Sequence, residues 1–260
     1  MRAAVVVLRA DSLANAAYTK GCTNANLMLP QHFTTARTAR YISLGEPGPA
    51  VQHIWFCLHG EGQLLSDFAA QLVNLDTPER LLILPEGLSR FGLPAADSAP
   101  TETTAAAWFS PETLEIDMDD LTAYLDSLAA QVLPACPAGT PVTVLGYGQG
   151  AAAACRWLAA GNTHYDKLLL YASVFPPEID RRATLEALPI QPVVVLTTTT
   201  DIFTPEVSGE GLVHDFQEAG HSAQLRYVSG DGLRLAALGA SAEIPATDEG
   251  TPPPTTPQES

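Results

Sequence analysis

Six short, unbroken apolar runs restrict what this sequence can fold into more than any other feature. They are H-I-W-F-C-L (53–58), R-L-L-I-L (80–84), P-V-T-V-L (141–145), K-L-L-L-Y-A (167–172), P-V-V-V-L (192–196) and Q-L-R-Y-V (224–228). Each is too short for a core helix. Apolar residues follow one another in them without alternation, as in strands covered on both faces. Helical patterns separate them: Leu121, Tyr124, Leu125, Leu128 and Val132 form a one-sided stripe. Leu212, Val213, Phe216 and Ala219 repeat the stripe ahead of Gly220, and the Ala-rich 149–160 ends at Gly161-Asn162. Strand and helix in alternation predict a mostly parallel sheet, flanked by helices on both faces in three layers. R-Y-I-S-L-G (40–45) reads as an antiparallel first strand.

This pattern places one α/β domain at residues 35–240. Residues 1–34 read as a poorly ordered extension, and Met28 is a plausible alternative start. The last twenty residues, 241–260, hold five prolines, four threonines, four acids and no base, which predicts a disordered tail.

Composition narrows the partners. The chain carries 29 acidic against 13 basic residues, a formal charge of −16, so its field repels phosphate backbones and nucleic acid is a poor partner. No apolar run reaches the 18 or so residues that a membrane span needs. Cys22, Cys57, Cys136 and Cys155 show neither a C-x-x-C pair nor metal-like spacing, so free thiols in a reducing, cytoplasmic setting are expected. No cofactor or metal is implied. Oligomeric state is not legible.

The chemistry concentrates at V-L-G-Y-G-Q-G-A-A-A (144–153), where a strand turns into a helix through three glycines. Gly146 to Ala151 match the dinucleotide pattern G-x-G-x-x-A. That pattern wants an acid at the end of the next strand, and K-L-L-L-Y-A-S (167–173) has none. The alternative is the nucleophile elbow G-x-S-x-G, which puts Gly148 where a nucleophile belongs. Other segments follow in matching order. L-H-G-E-G (58–62) ends an earlier strand, where a second oxyanion amide is expected. Asp201 lies past a later strand in T-T-T-T-D-I-F-T-P (197–205), as a triad acid would. R-Y-V-S-G-D-G (226–232) stands where a histidine should follow the last strand.

From about Ala36 to Leu238 the sequence resembles the phospholipase/carboxylesterase group of α/β-hydrolases, which includes the acyl-protein thioesterases. The resemblance rests on L-H-G-E-G-Q, L-P-E-G-L-S-R-F (84–91), A-W-F-S (107–110) and L-G-Y-G-Q-G-A-A-A-A-C-R-W-L. It implies an α/β-hydrolase fold and cofactor-free hydrolysis of carboxylic esters or thioesters. It also implies an oxyanion hole at Glu61 and Gln149, and Asp201 as the retained triad acid. Two positions depart from the family: Gly148 replaces the nucleophilic serine and Asp231 the catalytic histidine. Glycine offers no nucleophile, and an ionised carboxylate is a weak base for a hydroxyl. Glu61 adds a carboxylate near the site meant for negative charge.

Substitutes elsewhere are weak. Cys155 lies two helical turns from Gly148, His221 precedes the last strand, and His214 falls on a helix facing solvent. Ser66 and Ser173 have no base that the sequence places nearby. His59 reads as organising the backbone of its turn, while Trp108 and Phe109 read either as pocket wall or as core. The leading expectation is a catalytically impaired α/β-hydrolase whose old pocket binds an acyl-containing small molecule. The alternatives are an active hydrolase with a rearranged constellation, Asp231 activating water, and a non-enzymatic interaction module.

Overall fold

A computed structural model of the chain describes residues 30–93, 103–197 and 209–227. The chain divides into two units, Met1–Arg37 and Thr38–Ser260. Of the first, residues 30–37 are an exposed segment without regular structure. All elements below belong to the second.

The strands are β1 (Tyr41–Leu44), β2 (His53–Leu58), β3 (Arg80–Pro85), β4 (Ser89–Leu93), β5 (Thr103–Ala107), β6 (Val142–Tyr147), β7 (Lys167–Tyr171), β8 (Val193–Thr197) and β9 (Ala223–Tyr227). Between them lie helices α1 (Leu65–Gln71), α2 (Leu114–Val132), α3 (Gln149–Ala160), α4 (Arg181–Glu186) and α5 (Gly209–Glu218). Seven strands form one sheet in the order β1-β3-β2-β6-β7-β8-β9. Only β1 runs antiparallel, with Tyr41 opposite Pro85; every other neighbouring pair is parallel.

The apolar runs of β2, β3, β6, β7 and β8 follow from burial on both faces. Q-L-R-Y-V, expected to be covered on both faces, is instead the partly exposed edge strand β9, where Gln224 and Arg226 alternate with apolar residues. Along β7, Leu168 and Leu170 enter one core cluster and Leu169 and Tyr171 the other. The first cluster holds the apolar stripes of α2, α3, α4 and α5, and the second holds Leu65, Phe68 and Ala69 of α1. The layers are therefore three, with α1 on one face and the other described helices opposite. On α2 the stripe begins earlier than the sequence suggests, at Leu114 and Met118, and Tyr124 sits at its half-buried margin. Gly220 closes α5 in the left-handed region at φ 90°.

One element was not foreseen. β4 and β5 form a separate antiparallel hairpin, pairing Ser89 with Ala107 and Leu93 with Thr103, and Gln63 bridges to Ala106. Its sequence, S-R-F-G-L with T-T-A-A-A, lacks the β-branched or aromatic alternation that marks a strand. Among the described residues no helix is long and apolar enough to cross a membrane.

The strand order locates the crevice. From β2 the chain moves outward to β3 and then returns to β6 on β2's other side, so the order reverses between β2 and β6. Open α/β sheets bind ligands at such a point, beyond the carboxyl ends of the strands. Here Leu58 and Gly146 lie side by side in register, and the H-G-E-G turn faces the glycine turn.

Candidate active site at the glycine elbow

The middle glycine has a backbone that other residues rarely adopt. Gly148 sits at φ 56°, ψ −122°, between the last residue of β6 and the first of α3. The flanking glycines are there for steric reasons. A Cβ on Gly146 would lie 2.5 Å from Ala151 Cα, and one on Gly150 would collide with the carbonyl oxygens of Leu58 and His59. Gly148 differs: among the described residues, its Cβ would meet within 4 Å only Gly60 Cα, at 3.4 Å. The fold thus makes room for a side chain here and presents none. Backbone bonds hold the turn from the β7 side. Gly148 N–H donates to Tyr171 O at 3.0 Å, and Val174 N–H donates to Gly148 O at 3.1 Å.

A connected set of bonds braces the facing turn. His59, fully buried, bonds through Nδ1 to Gly60 O at 2.7 Å, and its Nε2 accepts the Gly87 amide at 3.0 Å. Those roles require the neutral ring with its proton on Nδ1, and burial holds its pKa below the ordinary histidine value. Trp108 lies over the imidazole, ring centres 4.8 Å apart, and its indole N–H donates to His59 O at 2.7 Å. Gln63 Oε1 takes the Gly60 amide at 2.7 Å.

Gln149 ties the elbow to the same set. Its buried side chain accepts the Trp108 amide at 2.8 Å and donates to Phe109 O at 3.2 Å. After these commitments, the amides of Glu61 and Gln149 form no hydrogen bond among the described residues. The Gln149 amide is the first of α3, where helical amides have no internal partner and the helix dipole favours negative charge. The Glu61 side chain is exposed to solvent.

Asp201 and Asp231 lie outside the described residues. They follow the ends of β8 at Thr197 and β9 at Tyr227, strands parallel to β6. The structure leaves the substitute nucleophiles and bases away from the elbow or unsuited to it. Cys155 is buried in the core and its thiol pKa is pushed up by that burial. His221 is buried at the opposite end of the sheet, bonded to Leu185 O at 2.9 Å. His214 is exposed beside Glu218, and Ser66 is an exposed residue of α1. Trp108 and Phe109 belong to the main core cluster as well as to the bracing set.

Three residues near the crevice stood in quoted motifs or among the candidate nucleophiles, but their bonding was not legible. Gln63 is the first. The second is Glu86, which is almost wholly buried and held by Arg40 Nε at 2.7 Å and Nη2 at 2.5 Å. Its signal was its place in L-P-E-G-L-S-R-F, between the strand's last proline and Gly87. The third is Ser173, whose buried hydroxyl oxygen has no partner among the described residues. It follows Ala172, the one non-glycine among them with positive φ, at 47°.

A parallel sheet with an antiparallel first strand, a glycine-flanked elbow after its middle strand and a braced turn beside it together define the α/β-hydrolase fold. No family model and no curated protein matches the sequence. Solved structures do match. Esterase PE8 aligns over 80% of this chain and 100% of its own, with 20% identity and a TM-score of 0.58. A carboxylesterase from Mesorhizobium loti aligns over 80% and 95%, with 16% identity and a TM-score of 0.57. A phospholipase/carboxylesterase from Dyadobacter fermentans aligns over 79% and 97%, with 15% identity and a TM-score of 0.55. At these identities the likeness is one of fold: this chain has the α/β-hydrolase fold.

Proposed function

We propose that this protein is a carboxylesterase-like α/β-hydrolase homologue that binds an acyl-containing small molecule and does not hydrolyse it. One observation carries the reading: the elbow keeps its steric design around Gly148, with room for a side chain that the residue lacks. Acyl transfer needs a nucleophile, a base and oxyanion donors. In this reading only the donors remain, the amides of Glu61 and Gln149, while Asp201 keeps the acid position and Asp231 stands in place of the base. In a related triad enzyme, losing the nucleophile or the base costs on the order of a million-fold in turnover.

A serine-directed fluorophosphonate probe tests the assignment. The purified chain is expected to stay unlabelled, and stoichiometric labelling at any serine would overturn the reading. The rearranged hydrolase makes a separate prediction: Asp231→Asn abolishes a measurable rate while the fold survives.

A further inference from the structure

A cleft of about 400 Å³ lies where the segment after β7, α4 and the end of α5 meet. It shares no residue with the elbow, the H-G-E-G turn or the β4–β5 hairpin. Its apolar wall is Phe175, Pro176, Pro177, Ile179 and Ala219. Ile179 belongs to the main core, and Phe175 and Ala219 pack against that core, so the cleft opens onto its edge. A space of this size, with an apolar wall and a few polar groups, has the dimensions of a small-molecule site.

The charges around the cleft do not balance. Three carboxylates, Glu186, Asp215 and Glu218, line it beside two guanidinia, Arg181 and Arg182. Both guanidinia are taken. Arg181 pairs with Asp215 and ties α4 to α5, while Arg182 Nε donates to Glu186 Oε1 at 2.8 Å within α4. Glu218 is left over: among the described residues no arginine or lysine lies within 4 Å of it, and its neighbour is the His214 ring at 3.4 Å. The excess is felt at Arg182. Its guanidinium holds its proton more tightly than usual, first through the Glu186 bond and then through the charges of Glu186, Glu218 and Asp180.

We propose that this cleft binds a small organic cation, a protonated amine or guanidine on a compact apolar body. The cation sits against Glu218 and the body lies on Phe175, Pro176, Pro177 and Ile179. The two sites share no residue, so the inference is independent of the acyl-binding reading. The sign agrees at long range, because a chain at −16 draws cations in and repels anions. The Glu218 side chain is 56% exposed, so an ion pair to it is weak by itself. The apolar wall must therefore supply most of the affinity, and the carboxylate the choice of sign.

The experiment is a ligand-observed NMR titration of the full chain with phenethylammonium, with 2-phenylethanol and phenylacetate as competitors of similar shape. Phenethylammonium is expected to saturate. The neutral alcohol should displace it with about fivefold weaker affinity, the upper end for an exposed ion pair, and phenylacetate should not displace it. Glu218→Gln should weaken phenethylammonium by about fivefold. Glu46→Gln removes an exposed carboxylate elsewhere and should leave it unchanged. Ala219→Leu fills the cleft and should abolish saturation. Equal affinity for amine and alcohol, displacement by phenylacetate, or binding that survives Glu218→Gln or Ala219→Leu unchanged overturns the proposal. An equal loss in Glu218→Gln and Glu46→Gln also overturns it, because the attraction would then belong to the net charge and not to the cleft. Failure of phenethylammonium to saturate overturns it outright, and leaves the acyl-binding reading untouched.

Discussion

Gly148 and Gly60 approach so that a Cβ on the first would rest 3.4 Å from the Cα of the second, with no other atom of the described residues within 4 Å. The two glycines belong to the turns after β6 and β2, neighbours at the reversal of strand order. The space between them is therefore set by the sheet and not by any one side chain.

The three glycines of the elbow should respond differently to alanine. Gly146→Ala and Gly150→Ala force backbone apart and are expected to cost about 3 kcal/mol or more, the upper end of overpacking. Gly148→Ala meets only backbone strain, about 1–3 kcal/mol. Urea denaturation of the three variants checks the ranking, in which Gly148→Ala is the mildest.

Gln149 holds Trp108 and Phe109 to the elbow through two side-chain bonds. Gln149→Ala leaves the buried Trp108 amide without its acceptor and should lose about 1–3 kcal/mol. Tryptophan fluorescence during denaturation reports the loss; an unchanged midpoint would mean that the clasp contributes nothing.

Acid should weaken the fold through His59. Its pKa is lowered in the folded state by burial, and half-buried His53 is lowered too, by burial first and then by Arg80. The unfolded chain therefore takes up protons that the folded chain refuses. Their contribution is complete above the unfolded value near 6.5 and is lost as pH falls below it toward the folded values. The denaturation midpoint should drop between about pH 7.5 and pH 5, and His59→Gln should flatten that slope.

Most of the framework is legible from the chain because it depends on short-range patterns. All six apolar runs became sheet strands within two residues of their expected bounds, and R-Y-I-S-L-G became the antiparallel edge. The elbow is legible because its flanking glycines answer local steric demands that a sequence displays. The β4–β5 hairpin escaped because S-R-F-G-L and T-T-A-A-A show no alternating strand pattern, although they pair only 10–18 positions apart. Glu86 with Arg40, Gln149 with Trp108 and Ser173 with the elbow escaped for another reason. Each acquires its role from residues more than twenty positions away, and no local period encodes that.

Restoring the two missing groups is expected to restore chemistry. Gly148→Ser fits the space beside Gly60, and Asp231→His returns a base to the position after β9. The double variant should exceed the unaltered chain in ester turnover by at least about a hundredfold, a fraction of what a triad contributes. Each single variant should stay near the starting rate.

The most direct test is the steady-state hydrolysis of p-nitrophenyl butyrate by the purified, unaltered chain. The account predicts a rate indistinguishable from buffer with an equal amount of denatured protein. A saturable rate that survives repurification and is abolished by a fluorophosphonate would contradict it.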